Sequence, residues 1–384
     1  MEFDVAILGG GAAGLMAAAR LKERGVFSVC IVEGNEKPGA KIRISGGGKC
    51  NLTNVRVSEQ NYLGDATLVR EVLERFDNTA FLSWVRERGC KPVMRKERYY
   101  FCPNSAQELI DILLRESSGA TFFLRQRVLH VVKQDDLFTI TTDRQTLKAR
   151  KVIVATGGIS YTSVGATDIG LQIARSFGID TVAFRPALVG LTLQKEQFWM
   201  KDLTGISFPV TIRVGEKLLQ EDMLFAHRGI SGPAVLSASL YWEKGLMAID
   251  FLNGQILSVL LKKGGNRNVS TALPLPKRFV SAFLQQIGLR DKPCSALTKE
   301  ETGKLSAIGN YAFAPAGTFG FTKAEVSKGG VACEQLKSPS CGSLKVEGLY
   351  FVGEVVDVTG ELGGYNFQWA FASGRCAAEN ILSV

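Results

Sequence analysis

The stretch Asp4-Val-Ala-Ile-Leu-Gly-Gly-Gly-Ala-Ala-Gly14, followed after a short interval by Phe27-Ser-Val-Cys-Ile-Val-Glu33, decides the fold. It reads as strand, glycine turn, helix, strand and acid, the order of a parallel β-α-β unit that holds a dinucleotide. Gly9 permits the tight turn, Gly11 lets the backbone approach a pyrophosphate, and Gly14 lets the helix from Ala12 to about Glu23 pack close to the sheet. Ala12 and Ala13 open that helix, whose free N–H groups and positive dipole end face the phosphates. Glu33, with Gly34 after it, offers acceptors to ribose hydroxyls and repels a 2′-phosphate. The site is therefore expected to take an adenosine without one.

Composition sets outer limits. A length of 384 residues suggests two or three domains, and 46% hydrophobic with 22% charged residues is the balance of a globular protein. No apolar run reaches the roughly 18 residues of a membrane span, and the apolar start breaks into glycines where a signal peptide would carry a cleavage site. The eight cysteines form no CxxC pair and only two histidines are present. That argues against a metal site and a disulfide framework and for a reducing cytoplasm. The net charge of +9 fits a nucleic-acid partner, an acidic cofactor or a basic surface. The basic stretch from Arg86 to Arg98 is read as a solvated face, so a nucleic acid is the less favoured partner.

Further along, Pro38 to Asn54 is a long glycine-rich connection of the kind that carries function. Thr67 to Gly89 predicts one or two helices interrupted near Asp77-Asn78, and Asn104 or Ser105 can cap a helix running through Arg115. Thr121 to Arg150 reads as a three-stranded meander, after which Lys151 to Ala155 returns the chain to the parallel sheet. Beyond Pro186 the pattern alternates, with turns at Val214-Gly215-Glu216 and near His227 to Gly229. Gly254 to Gly309 reads as helical segments. Parallel-sheet character resumes at Gly348 to Glu354, so the residues between are expected as an insertion into a discontinuous nucleotide-binding domain.

Three distant segments then point to one ligand. The first turn holds an ADP moiety, while Ala155-Thr156-Gly157 and Gly353-Glu354 end strands at the same edge, where ligands of open α/β sheets bind. A ligand long enough to reach all three is FAD. Glu354 could bind ribityl hydroxyls. The N–H groups of Gly364, Tyr365, Asn366 and Phe367 open a helix whose dipole would stabilise charge on a reduced flavin.

The loop Ile44-Ser-Gly-Gly-Gly-Lys-Cys-Asn-Leu-Thr-Asn54, the stretches Ala155 to Gly158 and Gly165 to Gly170, Ala226-His-Arg-Gly-Ile-Ser-Gly-Pro233, Val326 to Val331 and Gly353 to Gly374 together resemble the YhiN/BaiN-like flavoproteins, commonly labelled NAD(P)/FAD-dependent or aminoacetone-oxidase-type oxidoreductases. Lys49, Ala226 and Ser327 depart from the family's frequent residues. The resemblance implies an α/β, glutathione-reductase-like FAD-binding Rossmann domain (1–190 and 329–384) with an inserted β-barrel domain (191–252 and 313–328) and a nested helical domain (253–312). It implies that Ser45, Gly46, Gly47, Cys50 and Asn51 wrap the flavin, that Lys41 lies with them, and that Val128 pairs with adenine. Cys50 is also a candidate redox thiol. His227, in a loop resembling the segment that faces the flavin, is a candidate acid or base, and Arg228 and Lys328 are candidate anchors for an acidic substrate.

There is no second strand-GxGxxG-helix unit, so NAD(P)H, if used, docks transiently. The expected function is an FAD-dependent oxidoreductase moving a hydride between flavin N5 and a small organic substrate. A tRNA-modifying flavoprotein and a non-catalytic flavin-bound interaction protein are the alternatives.

Overall fold

In the computed structural model, which describes every residue except Arg24, Val26 and Val384 and only the backbone of Ser163, strand β1 (Glu2–Leu8), helix α1 (Ala12–Glu23) and strand β2 (Val29–Glu33) form in that order. Val5 to Leu8 are fully buried, as a continuous apolar run is when a parallel strand is covered on both faces. β1 lies between β2 and the strand Thr146–Val154, parallel to both. Leu349–Phe351 adds in parallel beyond Thr146–Val154, and Thr121–Leu124 beyond β2. Leu8 stands opposite both Val32 and Val154, and Val154 opposite Phe351. Four strands therefore finish level and release Gly9, Glu33, Ala155 and Val352 along one edge.

Local details depart from expectation where long-range pairing prevails. Thr121–Leu124 leaves the meander and joins the parallel sheet beside β2. The meander's last strand and the strand expected at Lys151 to Ala155 are one, Thr146–Val154, which pairs antiparallel with Leu137–Thr142 through Thr146 to Ala149 and parallel with β1 from Lys148. The helices Ala66–Arg75 and Asn78–Glu87 divide at Asp77, whose carboxylate accepts the Ala80 N–H at 2.7 Å. Neither Asn104 nor Ser105 caps the helix Gln107–Glu116. Instead the Glu108 carboxylate reaches back to accept their backbone N–H groups at 3.0 and 3.3 Å. Arg88 is not on a solvated face: its guanidinium meets Glu23 and Glu116 at 3.3 and 2.9 Å and lies over the Trp84 ring.

The chain divides into two compact units, Met1–Arg185 with Val326–Val384, and Pro186–Glu325. Within the second, seven strands pair in an order that begins with Tyr311–Phe313 and ends with Gly317–Thr318. The barrel expected there is an open path of strands, its two ends unpaired with each other among the described residues. The long hairpin Ser207–Val214 and Lys217–Ala226 turns at Gly215-Glu216, and Ala226 pairs with Gly229 across the turn residues His227 and Arg228. Phe279 and Phe283 of the helix Lys277–Gln286 pack on Phe208, Phe225 and Phe251, with ring centroids 4.7 to 6.1 Å apart. The helices of 253–312 thus share one apolar core with the strands. Among the described residues no helix is long and apolar enough to cross a membrane, and no group of three or more His, Cys, Asp or Glu side chains is arranged to hold a metal ion.

Candidate cofactor-binding site

The first glycine turn divides its work among three residues. A Cβ on Gly9 would stand 2.4 Å from the Ala155 carbonyl oxygen, and one on Gly14 would stand 2.0 Å from the Gly9 oxygen. Both are closures of the fold. A Cβ on Gly11 would meet nothing within 4 Å. The space above Gly11, at the first turn of α1 where unpaired N–H groups gather, has room for a pyrophosphate. Gly47 and Gly157 are likewise open, with φ of 65° and 72°. At the end of Thr146–Val154, the Thr156 hydroxyl is buried with no hydrogen-bond partner in the chain. That hydroxyl is turned toward Gly170, where a Cβ would stand 2.3 Å from it, so it is the open glycines along the sheet edge that fit a long polar ligand.

Glu33 is already engaged. One carboxylate oxygen accepts the Gly10 N–H at 2.8 Å, and the other accepts the backbone and side-chain N–H groups of Asn35, both at 2.8 Å. The acid thus braces the glycine turn while retaining one acceptor position, on the oxygen that faces Gly10, for a ribose. Gly34 is exposed beside it. Gln126 donates its N–H to the Glu33 carbonyl, which brings Val128, two residues on, to the same corner. Glu33→Ala is expected to weaken dinucleotide binding by roughly 1 to 3 kcal/mol, the range for hydrogen bonds to a charged group. Fluorescence titration of the apoprotein checks this, and an unchanged Kd would assign the carboxylate to the turn alone.

Glu354 differs from the free ribityl partner expected of it. One oxygen accepts the Ser160 hydroxyl at 3.0 Å and the Ser327 N–H at 2.8 Å, and the other pairs with the Lys41 ammonium at 2.5 Å. Lys41 also donates to the Ser160 hydroxyl, and the Ser327 hydroxyl accepts the N–H groups of Ile159 and Ser160. One carboxylate so ties together the segments after β2, after Thr146–Val154 and after the second unit. Gly353 is equally committed, its N–H to Ser373 and its carbonyl to Trp369. Nothing in the local sequence marked Ser160 as a partner, and Ser327 stood out only as a departure from the family residue.

The glycine-rich loop meets the start of the last helix, Tyr365–Leu382. The Asn54 amide donates to the Gly363 carbonyl at 3.2 Å, and the Thr53 hydroxyl to Gln368 at 2.8 Å. Asn51 and Thr53 would crowd a Cβ on Gly364. Gly364, at φ 91°, directs its N–H to the Asn51 side-chain oxygen at 3.3 Å, and the N–H groups that follow it, with the helix dipole, are left available to a ligand. The Asn366 side chain is spent on both backbone groups of Gly360, and the buried Tyr365 packs edge-on against Tyr62, so these two can contribute to a ligand only through their backbone. Within the loop, the Ser45 hydroxyl donates to Ile42 and the Ser45 carbonyl accepts the Cys50 N–H.

The redox reading of Cys50 meets a physical obstacle. Its side chain is fully buried and burial pushes the thiol up to about 12, so it stays protonated and unreactive. Cys90 and Cys102, remote in sequence, are its neighbours in space. Native protein treated with iodoacetamide at pH 8 is expected to leave Cys50 unmodified and to react there only after denaturation, as peptide mass spectrometry reads directly. His227 and Arg228 are exposed on the second unit, the guanidinium lying over the Phe319 ring. Lys328 is on the first unit, near Asp357, whose carboxyl burial pushes above its usual range against the smaller opposing pull of the Lys328 charge.

Residues 3–380 match the family described as HI0933-like protein Rossmann domain. The chain belongs to this family. It is 37% identical over 397 residues to the ribosomal RNA dihydrouridine synthase of Escherichia coli (strain K12), covering 100% of this chain and 99% of that protein. A protein of the same name from Haemophilus influenzae is 37% identical over 391 residues, covering 98% and 97%. The 3-dehydro-bile acid delta(4,6)-reductase of Clostridium scindens is 32% identical over 410 residues, covering 98% and 99%. The YhiN/BaiN-like resemblance and the Rossmann-type fold hold, and this member of the HI0933-like family is an FAD-dependent oxidoreductase.

Proposed function

We propose that the protein is a reductase that saturates the C5=C6 bond of a uridine in ribosomal RNA. The observation that carries this reading is full-length identity of 37% to two proteins named for that product. It replaces the small organic substrate with an RNA and moves the RNA alternative from tRNA to rRNA. The bile-acid reductase name describes related chemistry, hydrogen added to a double bond conjugated with a carbonyl. A C=C reductase is thus common ground among the relatives.

When bound, FAD supplies a hydride at N5. The chain's own part is to hold it and to manage the proton. The open space at Gly11 takes the pyrophosphate, Glu33 the ribose, and Val128 backbone groups the adenine. Ser45 to Asn51 and the N–H groups of Gly364 to Phe367 flank the flavin. One alkene carbon receives the hydride and the other a proton, for which His227 is the proposed donor. Lys328, on the unit that carries the glycine turn, is the proposed anchor for an anionic group of the substrate. NAD(P)H is the proposed electron donor.

The test is direct. Protein whose released flavin chromatographs as FAD is given NADH or NADPH and an unmodified rRNA transcript, and nuclease fragments are weighed. A gain of two hydrogens on a single uridine is the expected result. Reduction of a steroidal enone with no change in RNA would favour the second reading, a small-molecule reductase like the Clostridium scindens relative.

A further inference from the structure

The positive charge of this chain is concentrated. Residues 253–312 contain nine Lys and Arg against three Asp and Glu, a net of +6 within a chain of +9. The fold then gathers much of it. Residues 265–269 run antiparallel beside 292–295: the Val269 N–H donates to the Lys292 carbonyl at 3.1 Å, the Cys294 N–H to Arg267 at 3.0 Å and the Ser295 N–H to Gly265 at 2.9 Å. Lys262 and Lys263, in the last turn of the helix Leu257–Gly264, therefore stand with Arg267 at the 294–295 end of this paired stretch, and Arg290 stands beyond its other end, past Lys292. All four cations are exposed.

The acids close by are spent elsewhere. Asp291 accepts the backbone N–H and hydroxyl of Ser270 at 3.0 and 2.5 Å, and Glu301 pairs with Lys292 at 2.7 Å. Arg267 donates to the carbonyls of Lys263 and Gly264, which holds its guanidinium at the ridge. Among the described residues no carboxylate pairs with Lys262, Lys263, Arg267 or Arg290. Four exposed cations strung along one paired stretch, with no carboxylate partner, present a local positive field that favours a polyanion.

We propose that this ridge is the RNA-docking surface: it takes successive phosphates of a folded RNA, so that the substrate is a polynucleotide and not a free nucleotide. The proposal rests on the rRNA reading above, which selects RNA over an anionic lipid surface as the occupant.

The test uses the holoenzyme carrying Lys262→Gln, Lys263→Gln and Arg290→Gln together, beside a control that removes three exposed cations elsewhere, Arg70→Gln, Arg144→Gln and Lys244→Gln. Binding of an rRNA transcript is measured against salt, without turnover. The ridge variant should lose about tenfold or more in affinity, and its log–log salt slope should become shallower by roughly two, at about 0.7 to 0.9 per phosphate contact. The control should stay within about twofold, since its cations make no phosphate contact to lose. NAD(P)H-driven flavin bleaching should be equal in all three proteins. Equal losses in both variants, no loss in either, or wild-type binding to phosphatidylglycerol vesicles in preference to the transcript would overturn the ridge. A wild type that binds RNA through the ridge yet never reduces it would sink the rRNA reading and leave the ridge standing. Reduction of RNA with unchanged KM in the ridge variant would do the reverse.

Discussion

Gly11→Val is expected to give a folded but colourless protein. Its Cβ would enter space that holds no protein atom within 4 Å, and its backbone is not among the positive-φ positions, so the chain has no reason to reject the side chain. The pyrophosphate does, because the valine methyls occupy the cradle over the first turn of α1. Gly14→Val is the contrasting case. There the Cβ would lie 2.0 Å from the Gly9 carbonyl oxygen, and relief requires parting α1 from β1. Thermal unfolding of the apoproteins and flavin titration separate the two: near-native Tm with no FAD binding for Gly11→Val, and loss of folded protein for Gly14→Val. A yellow Gly11→Val protein would contradict the cradle.

His227→Ala should slow turnover by about 100-fold to 10,000-fold, the usual contribution of a positioned general acid or base. His227 lies in a two-residue hairpin turn and is exposed, so folding should be spared. FAD affinity and the rate of flavin reduction by NAD(P)H should stay near wild type. The loss should fall on the half-reaction that delivers hydrogen to the substrate. Rapid-mixing experiments on each half-reaction decide it, and equal rates in both for variant and wild type would return His227 to the scaffold.

The parts of the site that a reader of the chain could find are those written in local chemistry. Strand, glycine turn, helix and acid at Asp4 to Glu33 follow from apolar runs and from glycine's freedom, and the level finish of four strands follows from their parallel pairing. The break at Asp77 was legible because a cap is a local signal. The clamp on Glu354 was not. Ser160 and Ser327 are 167 residues apart, and no spacing rule links a serine after a glycine pair to one that follows an insertion. Arg88 was misread for the same reason, since Glu23 and Glu116, which draw it inward, lie on other elements. The thiol of Cys50 invited a redox role until its burial was known.

The paired strands Thr181–Ala187 and Val326–Val331 bear on how the chain reaches its native state. The strand Thr146–Val154 must find Leu349–Phe351, a partner some two hundred residues away, and long excursions slow the search. Leu188 and Glu325, at the two mouths of the intervening unit, are hydrogen-bonded to each other at 3.1 Å, and Asp180 and Ala332 repeat the bond further in. If the intervening unit collapses first on its own phenylalanine core, the stretch the chain must search contracts from some two hundred residues to about fifty, because closure entropy depends on the free segment alone. The inserted unit would then act as a chaperone in cis for the sheet that surrounds it in sequence.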